Sequence, residues 1–307
     1  MLKKIVFMGT PDFSVTVLKS LYQNGYPIST VYTQTPKKSN RGQKITKSPV
    51  HKISELLNIE VRTPLSLNNN DEEYEYLKKH EADLAIVVAY GKIIPKKFLN
   101  LTKNGFINVH ASLLPKYRGA APIQRSIMNL EKKTGISIMK INEKLDEGPV
   151  CNAYDIEIKA NDNYEKLSEK LSSLAAEKIL DDIDSIIHGN AKFQKQDDSR
   201  ATYAKKIKKS ESKINWDLPA DKILGIINGL YPNPAAWFNY NGERYKVLEA
   251  ELSDTGGSAG IVLDEFLKVG CANKSINITK IQREGKNPQK IGEFMLGSKI
   301  KKGSNLN

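Results

Sequence analysis

Residues 83–110 read DLAIVVAYGKIIPKKFLNLTKNGFINVH, and this stretch contains two strand-like segments. The run DLAIVVA at 83–89 is the most hydrophobic in the chain, as expected for a central strand buried on both faces. GFINVH at 105–110 has the character of a second strand. Strands of this kind belong to sheets covered by helices, so the stretch predicts a mostly parallel α/β sheet.

The segments upstream alternate between strand and helix patterns. KKIVFM at 3–8 predicts a buried strand, and ISTVYT at 28–33 predicts another. Between them, Thr10 is expected to cap a helix that has Pro11 at its first position and stops at Asn24-Gly25. This βαβ order favours the same parallel sheet.

Downstream the pattern divides the chain into three parts. A long helix at 163–188 closes a first domain, which we place at residues 1–188. Residues 189–207 are polar and charged, which is typical of a linker. Residues 208–307 begin with a short helix and continue with short strands, and Asn241-Gly242 is a strong hairpin signal. We expect a small β-barrel or sandwich there, with a frayed tail at the last seven residues.

Composition narrows the class of protein. The chain has 307 residues, and 47 basic against 35 acidic side chains leave a formal charge of +12, which favours a polyanionic partner. Cys151 and Cys271 have no CxxC spacing, so neither a disulfide framework nor a zinc ribbon is available. The N-terminal apolar run is too short for a signal peptide or a membrane span. We expect a soluble cytoplasmic protein.

Candidate catalytic residues lie in INVHASLLPKYRGAAPIQRSI at 107–127. Asn108 and His110 are two apart on a strand and therefore face the same side, at the carboxyl end where open α/β sheets bind ligands. A carboxamide beside an imidazole can hold the oxygen of a polarised carbonyl and move a proton, as acyl transfer requires. A histidine that only makes structural hydrogen bonds remains the alternative.

Two other segments contribute candidates. The loop SLLPKYRG at 112–119 offers backbone amides and carbonyls to a cofactor, or is a plain connection. Asp146 in KLDEGPV reads as a turn-stabilising carboxylate. If Asp146 faced His110, it could orient the imidazole or take a proton from an amine nucleophile.

Basic residues cluster in two places. The segment 34–48 has five positive charges and no acidic residue, which predicts a mobile basic loop at the same edge of the sheet. A second group lies in the connector between the domains. These residues either contact phosphates of a nucleic acid or are simply solvated. They are Lys37, Lys38, Arg41, Lys44 and Lys47, then Lys205, Lys206, Lys208 and Lys209.

Four motifs together resemble the folate-dependent formyltransferases. They are GTPDF at 9–13, VVAYGKIIP at 87–95, NVHASLLPKYRGAAPIQ at 108–124 and LDEGP at 145–149. The resemblance covers residues 1 to about 240 in order, and the last sixty residues match only in length and strand-like character. GTPDF has one glycine where a dinucleotide fingerprint needs GxGxxG, so it does not indicate NAD.

The resemblance implies a Rossmann-like formyltransferase domain followed by an OB-like barrel. It implies Asn108, His110 and Asp146 as catalytic residues and 10-formyltetrahydrofolate as the co-substrate, with no metal. Asn108 and protonated His110 would stabilise the charged formyl oxygen, while Asp146 supports His110 and helps remove the proton of the amine. The residues that match the folate contacts are Ser112, Leu113, Leu114 and Pro115, with Tyr90, Gly91, Ile93 and Ile94.

Within this family the basic segments favour a tRNA substrate. The implied acceptor is the α-amino group of methionine on initiator tRNA, and Arg41 matches an arginine that is important for that substrate. An amino sugar on a nucleotide is an alternative acceptor, and hydrolysis of formyl-folate is another activity of the same architecture. A non-catalytic RNA-binding protein on this fold is a further alternative. Nothing in the chain demands a partner subunit, so we expect a monomer.

Overall fold

The computed structural model describes residues 3–39 and 44–306, which form two compact units. The first unit comprises Met1–Gly119, Gly135–Ile156 and Ser168–Tyr203. The second comprises Ala120–Thr134, Glu157–Leu167 and Ala204–Asn307. Among the described residues, no helix is both long enough and apolar enough to cross a membrane.

The N-terminal region is built on a seven-stranded sheet in the order β5-β2-β1-β6-β7-β8-β9. Its pairs from β5 through β7 are parallel, and β8 runs antiparallel to β7. The predicted mostly parallel α/β fold is confirmed, with the hydrophobic run of 83–89 at its centre. The strands of this sheet are β1 (Ile5–Gly9), β2 (Ile28–Tyr32), β5 (Glu60–Arg62), β6 (Leu84–Val88), β7 (Phe106–His110), β8 (Lys133–Lys140) and β9 (Val150–Glu157). Strands β3 (Lys37–Ser39) and β4 (Lys44–Thr46) form a separate two-stranded sheet.

Helices connect these strands, and the cap of the first helix differs from the prediction. The first helix starts at Asp12 with Pro11 at its N-cap, so the prediction that Thr10 caps it is wrong. The Thr10 hydroxyl instead donates to the carbonyl of Tyr90 at 2.9 Å, since that oxygen lies just beyond the neighbouring strand of the sheet. The helices are α1 (Asp12–Gln23), α2 (Pro49–Leu56), α3 (Asp71–His80), α4 (Lys96–Leu99), α5 (Pro122–Met128) and α6 (Tyr164–Ile187).

Within the basic segment 34–48, the described residues 37–39 and 44–46 form paired strands, where the composition predicts a mobile loop. Strands β3 and β4 pair antiparallel, with Lys37 opposite Thr46 and Ser39 opposite Lys44. The prediction failed because charge dominates the composition there, whereas backbone pairing is what orders the two arms. Residues 40–43, which include Arg41, lie outside the described residues.

The second unit contains an antiparallel five-stranded sheet, which confirms the predicted all-β domain, and it includes α5 as well as two helices of the C-terminal part. Asn241 and Gly242 both have positive φ, at 50° and 77°, as the predicted two-residue hairpin turn requires. Its elements are α7 (Ala220–Leu230), β10 (Ala236–Tyr240), β11 (Glu243–Ser253), β12 (Lys268–Gly270), β13 (Ser275–Arg283), β14 (Gln289–Lys290) and α8 (Ile291–Leu296).

The C-terminal tail is packed, so the prediction of a frayed end is wrong. Val262 N–H donates to the carbonyl of Ser304 at 2.9 Å, and Leu306 N–H donates to that of Gly260 at 2.8 Å. The Leu306 side chain enters the core of the second unit, and its carbonyl accepts the indole N–H of buried Trp216 at 3.2 Å. One apolar residue in a polar tail forms no sequence pattern that could predict this.

We expect Leu306→Ala to destabilise the second unit by about 2–5 kcal/mol, the usual cost of emptying a packed leucine site. Leu306 is 1% exposed, whereas Leu296 is 91% exposed, so Leu296→Ala is the matched control. Both tryptophans of the chain, Trp216 and Trp237, lie in this unit, and their fluorescence during urea unfolding reports it selectively. Equal unfolding midpoints for the two variants would contradict the packed tail.

Candidate active site

Asn108, His110 and Asp146 meet at one edge of the seven-stranded sheet. Asn108 and His110 lie on β7, with Asn108 beside Val87 of the parallel neighbour and His110 opposite Ser137 of β8. Asp146 lies in the turn between β8 and β9, and its Oδ2 is 3.7 Å from Nδ1 of His110. That distance allows a close charge contact that is too long for a hydrogen bond, and catalytic contacts of this length commonly shorten when substrate binds.

The two ring nitrogens of His110 have different partners. Nε2 lies 2.9 Å from the carbonyl oxygen of Tyr117. A carbonyl only accepts hydrogen bonds, so Nε2 carries a hydrogen, and Nδ1 is the nitrogen that faces Asp146. Nδ1 is therefore the ring nitrogen that can exchange a hydrogen with a ligand or with the carboxylate. The ring is buried, so its position is set by these two contacts.

The carboxylate oxygen of Asp146 that faces His110 is also bound by the backbone. This Oδ2 accepts the backbone N–H of Gly119 at 2.8 Å, which joins the 145–149 turn to the loop after β7. Asp146 has a φ of +52° and Tyr117 has a φ of +59°, both left-handed conformations that non-glycine residues adopt at a cost. Such strained positions cluster at functional sites, and no sequence pattern predicts either conformation.

Asn108 is free for a substrate. It is half-buried, and its carboxamide makes no hydrogen bond to any residue in the described ranges 3–39 and 44–306. Because strand geometry places it on the face of His110, its N–H group is available to the same ligand atom. The arrangement offers a neutral donor, a histidine that can be protonated, and a carboxylate acceptor.

The loop after His110 is ordered by Ser137, a residue that no sequence pattern marks. Ser137 is fully buried, accepts the N–H of Leu114 at 3.0 Å and donates to the carbonyl of Ser112 at 2.7 Å. Ser112 in turn donates to the carbonyl of Lys116 at 2.6 Å. The Ser112 hydroxyl is thus used inside the loop, while Leu113, Leu114 and Pro115 remain half-buried at its rim.

The backbone after β6 forms an irregular segment from Tyr90 to Ile94. The side chain of Tyr90 is part of the core, where burial raises the pKa of its hydroxyl. Gly91 has a φ of +75°. Within the described part of the chain, the amides of residues 91–94 donate to no backbone carbonyl. Ile93 is exposed. Open amides beside an apolar side chain fit a flat heterocycle that carries several hydrogen-bonding atoms.

Gln34, which precedes β3 in the chain, contacts this segment. Its Nε2 is 3.4 Å from the carbonyl of Tyr90, and its Oε1 accepts from Lys37 Nζ at 2.9 Å. A Cβ on Gly91 would come within 2.5 Å of Gln34 Nε2, the end of a flexible side chain that can move, so the φ of +75° is what favours glycine there. Gln34 is a second residue that the sequence gives no reason to select.

A buried cation supports the Asp146 turn. Arg118 is 1% exposed, and its Nε and Nη2 donate to Oε1 of Gln196 at 3.0 and 2.9 Å. Gln196 Nε2 donates to the carbonyls of Asp146 and Gly148, both at 2.8 Å. No sequence pattern indicates Arg118 or Gln196 as a site residue, because they are 78 positions apart and Gln196 lies in the segment predicted as a linker.

The basic residues of the hairpin have mixed environments. Lys47 pairs with Glu55 at 2.5 Å, so part of its charge is compensated, whereas Lys37 donates to the neutral side chain of Gln34. The side chains of Lys38 and Lys44 fall outside the described part of the hairpin, as does all of Arg41. Their RNA contacts stay predictions.

The connector lysines are solvent-exposed on an anchored segment of the second unit. Arg125 of α5 donates to both carboxylate oxygens of Glu211 at 2.6 and 3.0 Å and to the carbonyl of Lys205 at 3.0 Å. These bonds fix the backbone that carries the exposed cations. None of the four has an ion pair within residues 3–39 and 44–306. They are Lys205, Lys206, Lys208 and Lys209.

The described residues support neither a metal site nor a second catalytic cavity. Across the described ranges, no three His, Cys, Asp or Glu side chains converge as metal ligands would. A cavity of about 540 Å³ opens at the amino end of β7, which is the end of the strand away from His110. Two of its lysines are already paired, Lys96 with Glu143 and Lys103 with Asp83, and no histidine or cysteine lines it, so it does not indicate catalysis.

Comparison with known proteins identifies the family. Residues 3–183 match the family model described as formyl transferase, and residues 206–299 match that of the formyl transferase C-terminal domain. The chain belongs to the formyl transferase family. The family predicted from the sequence motifs is confirmed, and so is the prediction of an enzyme that transfers formyl groups.

The relatives of this chain indicate which formyl transferases it is most similar to in sequence. The chain is 61% identical over 307 residues to the methionyl-tRNA formyltransferase of Pelagibacter ubique (strain HTCC1062), covering 100% of this chain and 99% of the relative. It is 39% identical over 308 residues to the methionyl-tRNA formyltransferase of Chelativorans sp. (strain BNC1), covering 99% of each. An N-formyltransferase structure from Helicobacter canadensis aligns with a TM-score of 0.70 at 19% identity, covering 92% of this chain and 100% of that one, and supports the fold alone.

The relatives also correct one expectation. The last sixty residues were expected to resemble the family only in length and strand-like character. The C-terminal family model extends to residue 299, and the Pelagibacter relative aligns along the whole chain. That expectation was wrong because the short strands of a small antiparallel sheet form few motifs that can be recognised by eye.

Proposed function

We propose that this chain transfers the formyl group of 10-formyltetrahydrofolate to the α-amino group of methionine carried by initiator tRNA. The observation that carries the chemistry is the His110–Asp146 contact beside the open carboxamide of Asn108. The acceptor is supported by the full-length similarity to the Pelagibacter methionyl-tRNA formyltransferase.

Each of the three residues has a distinct role in this proposal. Bound 10-formyltetrahydrofolate supplies an activated formyl group. Asn108 and protonated His110 donate hydrogen bonds to the formyl oxygen as negative charge develops on it. Asp146 stabilises the imidazolium and accepts the proton that the attacking amine loses. The hydrogen bond from Nε2 of His110 to the carbonyl of Tyr117 orients the ring, so Nδ1 is the nitrogen that faces the reacting group. As the amine nitrogen bonds to the formyl carbon, the bond from that carbon to N10 breaks, and N10 leaves with a proton from Nδ1 of His110. Asp146, which has accepted the proton of the amine, returns it to His110.

The folate site is proposed from two segments of the first unit. The open backbone of Tyr90, Gly91, Ile93 and Ile94 would hold the ring system, and Ser112 to Pro115 would form the facing loop. Support comes from relatives: the Helicobacter canadensis structure is of a complex with folinic acid, and that of the sugar formyltransferase WlaRD contains 5-N-formyl-THF. The internal hydrogen bonds of the loop give it a fixed shape before ligand binds.

The assignment of tRNA rather than an amino sugar as acceptor requires a direct assay. Purified protein with 10-formyltetrahydrofolate is offered either methionyl initiator tRNA or a nucleotide-linked amino sugar, and formylated product is quantified. We expect product with the tRNA alone. Formylation of the sugar alone would contradict the proposal, and release of formate without an acceptor would indicate hydrolysis.

The connector lysines are expected to contribute RNA affinity without sequence information. Replacement of Lys205, Lys206, Lys208 and Lys209 by Gln should raise KM for tRNA, leave kcat unchanged, and reduce the salt dependence of binding by up to about four phosphate contacts. The control removes the same charge from exposed positions elsewhere, at Lys19, Lys78, Lys79 and Lys166. Binding curves are measured for both variants over a range of salt concentrations. Identical slopes of affinity against salt concentration for the two variants would refute a role for the connector.

The remaining assignments belong to the same proposal. Residues 1–188 carry out the chemistry, residues 189–207 join the parts, and residues 208–307 bind RNA. The monomeric state and the cytoplasmic location stay predictions. The location is consistent with two free cysteines, and burial raises the pKa of Cys271 to about 11, which keeps that thiol unreactive.

A further inference from the structure

We propose that Gln196, held by Arg118, is a positioning residue that sets the place of the Asp146 carboxylate beside His110. This inference rests on the proposed function, because it assigns Gln196 a role in catalysis through Asp146. The segment 189–207, which has the composition of a linker, thereby contributes a residue that supports the active site.

The side-chain amide of Gln196 donates hydrogen bonds to the backbone of the 145–149 turn, which contains Asp146. Both hydrogens of Nε2 are used, one on the carbonyl of Asp146 and one on that of Gly148, each at 2.8 Å. Gln196 is 7% exposed, so water does not compete freely for these bonds. The turn is therefore fixed on both sides of Glu147 by a single side chain.

Arg118 determines which way the Gln196 amide points. Its two donors occupy Oε1, which leaves Nε2 as the only group that can face the carbonyls. Burial alone would lower the pKa of Arg118, but hydrogen bonds to Asp198 and Tyr203 and the nearby carboxylates raise it overall. The guanidinium stays charged, and its Nη2 contacts Asp198 at 2.7 Å.

The loop that contains Arg118 also holds the carboxylate itself. Gly119, next to Arg118 in the chain, donates its N–H to Oδ2 of Asp146. The segment around Gln196 orders this loop as well, since Thr202 accepts the N–H groups of Tyr117 and Arg118, both at 2.9 Å. Asp146 is thus located through its side chain by Gly119 and through its main chain by Gln196, and removal of Gln196 takes away both hydrogen bonds from its amide to the main chain of the turn.

Steady-state formylation kinetics test the role. Gln196→Ala should lower kcat by about 10- to 100-fold, as expected for a displacement of catalytic groups by about 1 Å, with KM for both substrates within about two-fold of the parent. Gln196→Glu keeps the size and an acceptor for Arg118 but cannot donate when ionised, so a similar loss is expected. Gln194→Ala is the matched control, because its side chain is exposed and only its backbone pairs with Val150.

A double-mutant cycle separates positioning from general damage. If Gln196 acts through Asp146, adding Gln196→Ala to Asp146→Asn should lower kcat by no more than about two-fold. Losses that multiply, an unchanged kcat in Gln196→Ala, or a loss confined to KM would overturn the proposal. If Gln196→Ala does not fold, Gln196→Glu decides by the same readouts, and misfolding of both variants would leave only a structural role. Parental turnover in Asp146→Asn alone would instead refute the proposed function of Asp146.

Discussion

Asp146→Asn is expected to lower kcat for formylation by about 10³-fold, within the range for loss of a positioned general base. Asparagine keeps the size of the side chain and an oxygen that can accept the N–H of Gly119, so the turn should keep its shape. What disappears is the negative charge 3.7 Å from Nδ1 of His110 and the acceptor for the amine proton. The substitution therefore isolates the charge from the structure around it.

The binding of tRNA should be unaffected by this change. Equilibrium binding of methionyl-tRNA to the variant is expected within about two-fold of the parent, because phosphate contacts supply most of the affinity for a nucleic acid. Asp217→Asn, at an exposed position of the second unit, removes the same charge far along the chain and controls for the change in net charge. A normal rate in Asp146→Asn would contradict the assignment of the catalytic carboxylate.

Gly148→Ala is the second change for which we expect a large effect. A Cβ at this position would lie 1.7 Å from the carbonyl oxygen of Lys140 and 3.1 Å from Cε of Met139, so the turn must move away from β8. A shift of about 1 Å at Asp146, two residues away, is expected to reduce kcat by about 100-fold. Overpacking should also lower stability by about 1–3 kcal/mol.

The matched control for this glycine is Gly256→Ala. Nothing lies within 4 Å of a Cβ built at Gly256, so we expect parental turnover and an unchanged melting temperature. Turnover and thermal melting of the two variants are measured side by side. If Gly148→Ala retains both parental values, the close approach between the turn and β8 does not determine the position of Asp146.

Much of the fold was predictable because its signals are local. Burial on both faces makes the central strand a continuous apolar run, and Asn241-Gly242 reports a two-residue hairpin turn directly. Alternation along β7 places Asn108 and His110 on one face, which residue order alone is enough to predict. The family motifs then identified Asp146, which spacing alone could not connect to a strand 36 positions earlier.

Other features had no local signal. The composition of 34–48 did not indicate the pairing of β3 with β4, because charged residues dominate it. The packing of the tail was not indicated either, because the tail is mostly polar, and backbone hydrogen bonds to a distant segment order it. Gln196 is the clearest case. In composition it belongs to a polar linker, and its proposed role follows only from the three partners that the fold brings around its amide.

By itself the sequence determined the class of fold, the family, and the identity of the residues proposed to carry the chemistry, because residue type and strand periodicity are properties of short stretches. Only the tertiary structure decided which ring nitrogen of His110 faces Asp146 and what holds that carboxylate in place. Those properties depend on hydrogen bonds between residues that lie seven to 78 positions apart, as with Tyr117 for His110 and Gln196 for Arg118. Such partners are selected by folding, which brings together groups that no local pattern relates.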